Sequence, residues 1–123
     1  MLGNEAQACS ATIALNTASY SAGANNGSYL AVSDFEGALL FDIAQGATTG
    51  SVVVKLQDAT DSGGTGSADI TGATTGTLST ANTSTKLVVS SAQCRSHVRV
   101  VATVTTGPVL LGVTLLARPK TTA

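Results

Sequence analysis

The sequence predicts an all-β chain, an antiparallel β-sandwich or jelly-roll-like barrel with an extended N-terminal arm. Short apolar runs alternate with polar residues at a period of two, as where Val98, Val100, Ala102 and Val104 oppose His97, Arg99, Val101 and Thr103. Clusters of Gly, Ser, Thr and Asn punctuate these runs at short intervals. No long stretch holds the 3.6-residue apolar period of an amphipathic helix.

Taken in order, residues 1–28 are the predicted arm and first strand. Ala, Ser and Asn dominate there, with one apolar patch at Ile13 and Leu15 and a polar loop over residues 21–28. A short helix over residues 5–14 competes with the arm, although hydroxyl side chains that bond the backbone disfavour it. Residues 29–123 are the predicted β-sandwich, the whole chain forming one domain. Strands are expected at residues 29–32 and 38–43, the second turning Leu39, Phe41 and Ile43 inward and Leu40 and Asp42 outward. After a turn at residues 45–50, Val52, Val54 and Leu56 face inward on the next strand, and the two strands are read as a hairpin.

Residues 58–85 are poor in large apolar side chains, with Ile70 and Leu78 as their anchors. A structureless loop of that length is unusual in a compact domain, so brief strands are expected at residues 67–70 and 77–79. Residues 86–90 resume the sheet. The last quarter reads as a second hairpin, with Thr105-Thr106-Gly107-Pro108 as its loop and Val109, Leu111, Val113 and Leu115 facing inward. Pro108 fits only the start of a strand and Pro119 only its end, since neither donates a ladder bond. Gly-Ala-Thr-Thr-Gly at residues 46–50 and 72–76, and Thr-Thr-Gly at 105–107, read as three independent hairpin turns because the flanking strands do not repeat.

Composition narrows the function. Two Tyr, two Phe and no Trp in 123 residues leave a thin core, so stability is expected to be shared with neighbours. Charged residues make up 11% and the net charge is −1, which provides no basic field for nucleic acid. The longest apolar run, over residues 109–117, is too short to span a membrane. Met1-Leu2-Gly3-Asn4-Glu5 lacks the basic region and apolar core of an export signal, so Cys9 and Cys94 are expected as buried thiols rather than a bridge. Leu40, Val53, Val101, Leu110 and Leu116 are apolar yet outward in this reading. Together with Arg99 they form the candidate intersubunit contact, because two-sided hydrophobicity in an antiparallel sheet calls for a second cover.

Reactive groups are sparse. His97 is the only histidine, and on a strand Cys94 and His97 would point to opposite faces, which opposes a nucleophile–base pair. Asp58, Asp61 and Asp69 flank a Gly63-Gly64-Thr65-Gly66 loop, a pattern that invites calcium, but aspartates in Gly-rich turns ordinarily bond their own backbone. Gly64-Thr65-Gly66 lacks the Lys and further Gly of a phosphate loop, and the sequons at Asn26 and Asn82 are ordinary in a Ser/Thr-rich chain. No catalytic set, metal or cofactor is expected.

Several motifs follow one another in order: a polar segment between Tyr20 and Ser28, the strand through Phe41, and Val54-Lys55-Leu56-Gln57-Asp58-Ala59-Thr60-Asp61. Then come Ala68-Asp69-Ile70-Thr71-Gly72, Arg95-Ser96-His97-Val98-Arg99-Val100, and Arg118-Pro119. Over roughly residues 20–120 this order resembles a family of small virion structural proteins of tailed bacteriophages. The resemblance implies a non-enzymatic capsid decoration or cement protein. It further implies a homotrimer seated on the major capsid protein at the capsid surface, after assembly in the host cytoplasm. A tail, neck or baseplate position would suit the same pattern. A glycan- or surface-binding sandwich is a third reading; it would have to build its platform from Tyr20, Tyr29, Phe35 and Phe41.

Overall fold

The computed structural model describes residues 10–119. Nine strands follow one another: β1 (Ser10–Tyr20), β2 (Gly23–Asn26), β3 (Leu30–Ala31), β4 (Phe35–Thr48), β5 (Ser51–Ala59), β6 (Ala68–Thr74), β7 (Thr83–Ser90), β8 (His97–Thr106) and β9 (Val109–Pro119). A single 3-10 turn (Ser91–Gln93) precedes β8, closed by a capping box in which Ser90 and Gln93 exchange side-chain to backbone bonds.

All pairings are antiparallel. One sheet, called here the β9 sheet, has the order β1-β9-β4-β7; the other, the β8 sheet, has the order β2-β8-β5-β6, with β3 also on β8. The partners β1 with β9, β2 and β3 with β8, β4 with β7, and β5 with β6 are nested inside one another. Ser10 meets Ala117, Asn26 meets Val101, Ala38 meets Ser90 and Asp58 meets Ala68, each pair nearly equally far in sequence from Gly64. The chain is therefore one long antiparallel ladder wrapped into two layers, which is the jelly-roll form of the predicted sandwich. The β4–β9 and β5–β8 pairings close the two sheets.

The inward periods place the core where the alternation predicts. Leu39, Phe41, Ile43, Val109, Leu111, Val113 and Leu115 from the β9 sheet meet Val52, Val54, Leu56, Val98, Val100 and Ala102 from the β8 sheet, all buried. The backbone approaches itself closely at two points, between the layers at Gly27 and Ala14 and within the β8 sheet at Gly50 and Thr106. A Cβ on Gly27 would lie 2.2 Å from the Ala14 carbonyl oxygen, and one on Gly50 1.7 Å from that of Thr106. Only glycine fits at either place.

Three sequence expectations change. β4–β5 and β8–β9 are not hairpins, because in each case the connecting turn carries the chain from one sheet to the other. A Gly-containing turn between two strands with one buried face reads the same whether the strands pair side by side or stack across the core. The second Gly-Ala-Thr-Thr-Gly is not a turn either. Gly72 (φ 78°) lies within β6 at an irregularity in its register with β5, and Thr75 continues along β5 by exchanging bonds with Val54. Finally, the first strand expected within residues 1–28 is β1, and β2 pairs with β8 where a polar loop was expected over residues 21–28, so residues 10–26 belong to the sandwich. The small side chains of β1 reflect an edge strand with an open outer face. The earlier residues of the expected arm and helix, with Cys9, lie outside the described residues. The brief strands expected in the middle of the chain correspond to β6 and to a bridge between Leu78 and Val52, joined by bonds of 3.0 and 2.8 Å.

Leu111→Ala removes a fully buried side chain and is expected to lower unfolding free energy by about 2–5 kcal/mol, with Val100→Ala acting in the same direction. Thr103→Ala on the exposed side of β8 should stay within about 0.5 kcal/mol. Urea denaturation of the three variants checks the assignment of faces.

Candidate functional site

The outer faces of the two sheets differ in chemistry, and each follows from its ladder register. On the β8 sheet, Arg99 stands opposite Gln57 and donates to its Oε1 from Nε at 3.0 Å and Nη2 at 2.7 Å. Its guanidinium also lies 4.8 Å from the centre of the Tyr29 ring. Gln57 passes the chain on by donating to Asp69 Oδ1 at 2.8 Å, and Lys55 Nζ reaches Asp69 Oδ2 at 3.2 Å. Tyr29 and Ser67 join their hydroxyls beside this row. Val101, opposite Asn26 and Lys55, is only 5% exposed. Lysine's aliphatic stem suits such a cover.

The outer face of the β9 sheet is apolar instead. Ala11, Leu116, Leu40 and Val88 are successive cross-strand partners and form a strip across all four strands. Val88 is 53% exposed and Leu116 37%, while Ile13, two residues beyond Ala11 on β1, is 63% exposed. Leu110, 41% exposed, lies over Gly46, where a Cβ would come within 2.8 Å of its Cδ2.

The six candidate contact residues thus fall on opposite sides of the molecule. Leu40, Leu110 and Leu116 are on the β9 sheet, and Val53, Arg99 and Val101 are on the β8 sheet. They separate because β8 and β9 belong to different layers. Val101 is already covered and Arg99 already bonded within the chain, which leaves the β9 sheet as the face with unsatisfied apolar surface. Ile13 and Val88 complete it. Both are visible in the sequence as apolar residues, but only the pairing of β1 with β9 and of β4 with β7 brings them to Leu116 and Leu40.

No family model, curated protein or solved structure matches this chain.

The polar residues at the tip of the ladder have distinct structural tasks. Asp58 is buried at the end of β5, where its carboxylate accepts the Arg95 backbone N–H at 3.0 Å, Nε at 3.1 Å and Nη2 at 2.9 Å. Arg95 also donates to the Asp58 and Gly66 carbonyls, tying the β5–β6 loop to the segment before β8. Asp61 folds the loop on itself through the Gly63 and Thr65 N–H groups and the Thr65 hydroxyl. That hydroxyl, above all, holds the Asp61 carboxyl below its usual pKa, and the Gln57 amide followed by Lys55 does the same for Asp69. The three aspartates therefore serve three separate purposes, and among the described residues no three His, Cys, Asp or Glu groups gather as a metal set.

His97 and Cys94 are likewise accounted for. The Ser96 hydroxyl donates to the Thr60 carbonyl at 3.0 Å, so its 2.8 Å contact with His97 Nδ1 is one in which the ring nitrogen donates. In that arrangement His97 cannot take the Ser96 proton. Cys94 Sγ donates to the Ser90 carbonyl at 3.5 Å, and burial, aided by the Asp58 charge, pushes its thiol up to about 11. It lines a shallow cleft of about 420 Å³ with Phe35, Glu36 and Arg95. Of the four aromatics, Phe41 is buried, Phe35 and Tyr20 pack on the core, and Tyr29 carries Arg99.

Asp58→Ala strips Arg95 of its charged acceptor and is expected to cost about 2–3 kcal/mol, the Arg being partly hydrated already. Asp61 and Asp69 have lowered folded-state pKa values, so their contribution is complete above about pH 4 and fades as pH falls through the lowered values. Stability should therefore decline on acidification, with a shallower decline in the Asp61→Asn, Asp69→Asn double variant, as read by denaturation midpoints between neutral and acid pH. In a Cys9→Ser background, Cys94 should react with a disulfide reagent at pH 8 far more slowly than free cysteine.

Proposed function

We propose that this chain is a structural protein of a tailed-phage particle, a capsid decoration or cement protein that binds and stabilises the major capsid shell. The observation that carries the reading is the four-strand apolar strip on the outer face of the β9 sheet, in a chain with 11% charged residues. A contiguous apolar face of this kind is characteristic of protein–protein contact surfaces, so the jelly roll is suited to work assembled. The sequence resemblance supplies the kind of assembly, a shell, and implies a trimeric unit. The β8 sheet, its outer polar groups mutually bonded, suits a water-facing surface.

The placement of the aromatics favours this reading over a glycan-binding sandwich. Phe41 is buried, Tyr20 and Phe35 are packed against the core, and Tyr29 has Arg99 over its ring, so the four rings form no shared stacking platform.

The test is reconstitution on tailed-phage shells stripped of auxiliary proteins. The protein is expected to co-sediment with the shells, to saturate at a copy number that scales with shell area, and to raise their disruption temperature. Binding confined to one vertex or to the tail would assign it to the neck, tail or baseplate instead. Absence of binding to any shell, with retention on a glycan array, would overturn the virion reading.

A further inference from the structure

The apolar strip of the β9 sheet is bordered by charges whose arrangement selects one occupant. On one side Arg118 Nε stands 3.6 Å from Glu36 Oε1, in a loose pair whose side chains are 57% and 44% exposed and which keeps donors and acceptors free. On the other side, Asp42 stands between Thr114 and Lys86. A second copy can lie face to face with its strands aligned about a twofold axis in two ways. An axis running across the strands along the strip lays Glu36 on the partner's Asp42, carboxylate on carboxylate. Like charges so placed repel. An axis parallel to the strands, between β9 and β4, lays Arg118 on the partner's Glu36, Leu116 on the partner's Leu40 and Ala11 on the partner's Val88. Arg118 and Glu36 then meet as opposite charges, small meets large along the strip, Asp42 lies on the partner's Thr114, and the aliphatic stem of Lys86 lies along the partner's exposed Ile13.

We infer that two copies of this chain associate through the outer faces of their β9 sheets, about a twofold axis parallel to β4 and β9. The contact is isologous and closes on itself. Aligned packing of twisted sheets is an ordinary sandwich geometry. Four strands ~4.8 Å apart, over about eight residues at ~3.4 Å each, give a footprint of roughly 500 Å² per copy. The total, roughly 1,000 Å², lies at the lower bound for a specific interface. The inference goes beyond the virion reading and does not rest on it, since a shell with threefold and twofold axes accommodates such a contact between trimeric units.

Mass measurement of the full chain in solution tests it. Wild type is expected as an even-numbered oligomer, and Leu116→Asp, at a position 37% exposed, is expected to halve it. Glu36→Arg makes the border wholly positive and Arg118→Glu wholly negative, so each variant alone should associate at least about tenfold more weakly than wild type. An equimolar mixture of the two should restore pairing, because both contacts between positions 36 and 118 are then between opposite charges. The Glu36–Arg118 pair within one chain gives no such rescue, and circular dichroism of each variant establishes folding. A wild type that is monomeric at micromolar concentration or odd-numbered, or a mixture that does not pair, overturns the inference. If wild type is monomeric and stripped shells capture it but not Leu116→Asp, the face belongs to the shell; self-pairing is then overturned while the virion reading stands.

Discussion

The structure depends on one constraint, that the two halves of the chain pair along nearly their whole length around a single tip. Every ladder bond outside that tip joins residues distant in sequence, so chain entropy opposes each pairing until the one nearer the tip has formed. The Asp58–Arg95 contacts act at this critical point. They bind the last residues of β5 and the carbonyl of Gly66 to the segment entering β8, so tip loop, central strand and return crossing are held by one guanidinium. The glycines at close backbone approaches, Gly27 between the layers and Gly50 beside β8, matter only because this wrapping brings distant backbone together.

Much of this was legible in the sequence. The strands through Phe41, Val54, Val100 and Val113 follow from strict alternation, and their inward faces are those the period assigns. Layer membership was not legible. Val98–Val104 and Val109–Leu115 each present one buried face, and a stacked strand satisfies that as well as a paired one. The consequence reached the candidate contact, since residues taken as one patch lie on two sides of the molecule. The role of β1 was hidden for a related reason: an edge strand with an open outer face has no need of the large apolar residues by which strands are recognised. Asp58 was visible only as one aspartate near a glycine loop, because its partner, Arg95, is brought to it solely by the β5–β8 pairing.

The two outer faces divide the work of a low-charge protein. On the β8 sheet the few available charges are spent in a continuous bonded row, which keeps that side wetted and leaves Val101 hidden beneath it. On the outer face of the β9 sheet charges flank the apolar strip, with Arg118 and Glu36 on one side and Asp42 and Lys86 on the other. This asymmetry is set by cross-strand register rather than by composition.

The pairing of Ser10 with Ala117 also has a mechanical meaning. Tension applied at these two points acts on the ladder bonds of β1 and β9 one after another, as a zipper opens, because antiparallel bonds lie across the strands. Pressure on a sheet face instead loads the whole close-packed core at once. The ladder thus yields more readily to separation at Ser10 and Ala117 than the core does to pressure on a sheet face.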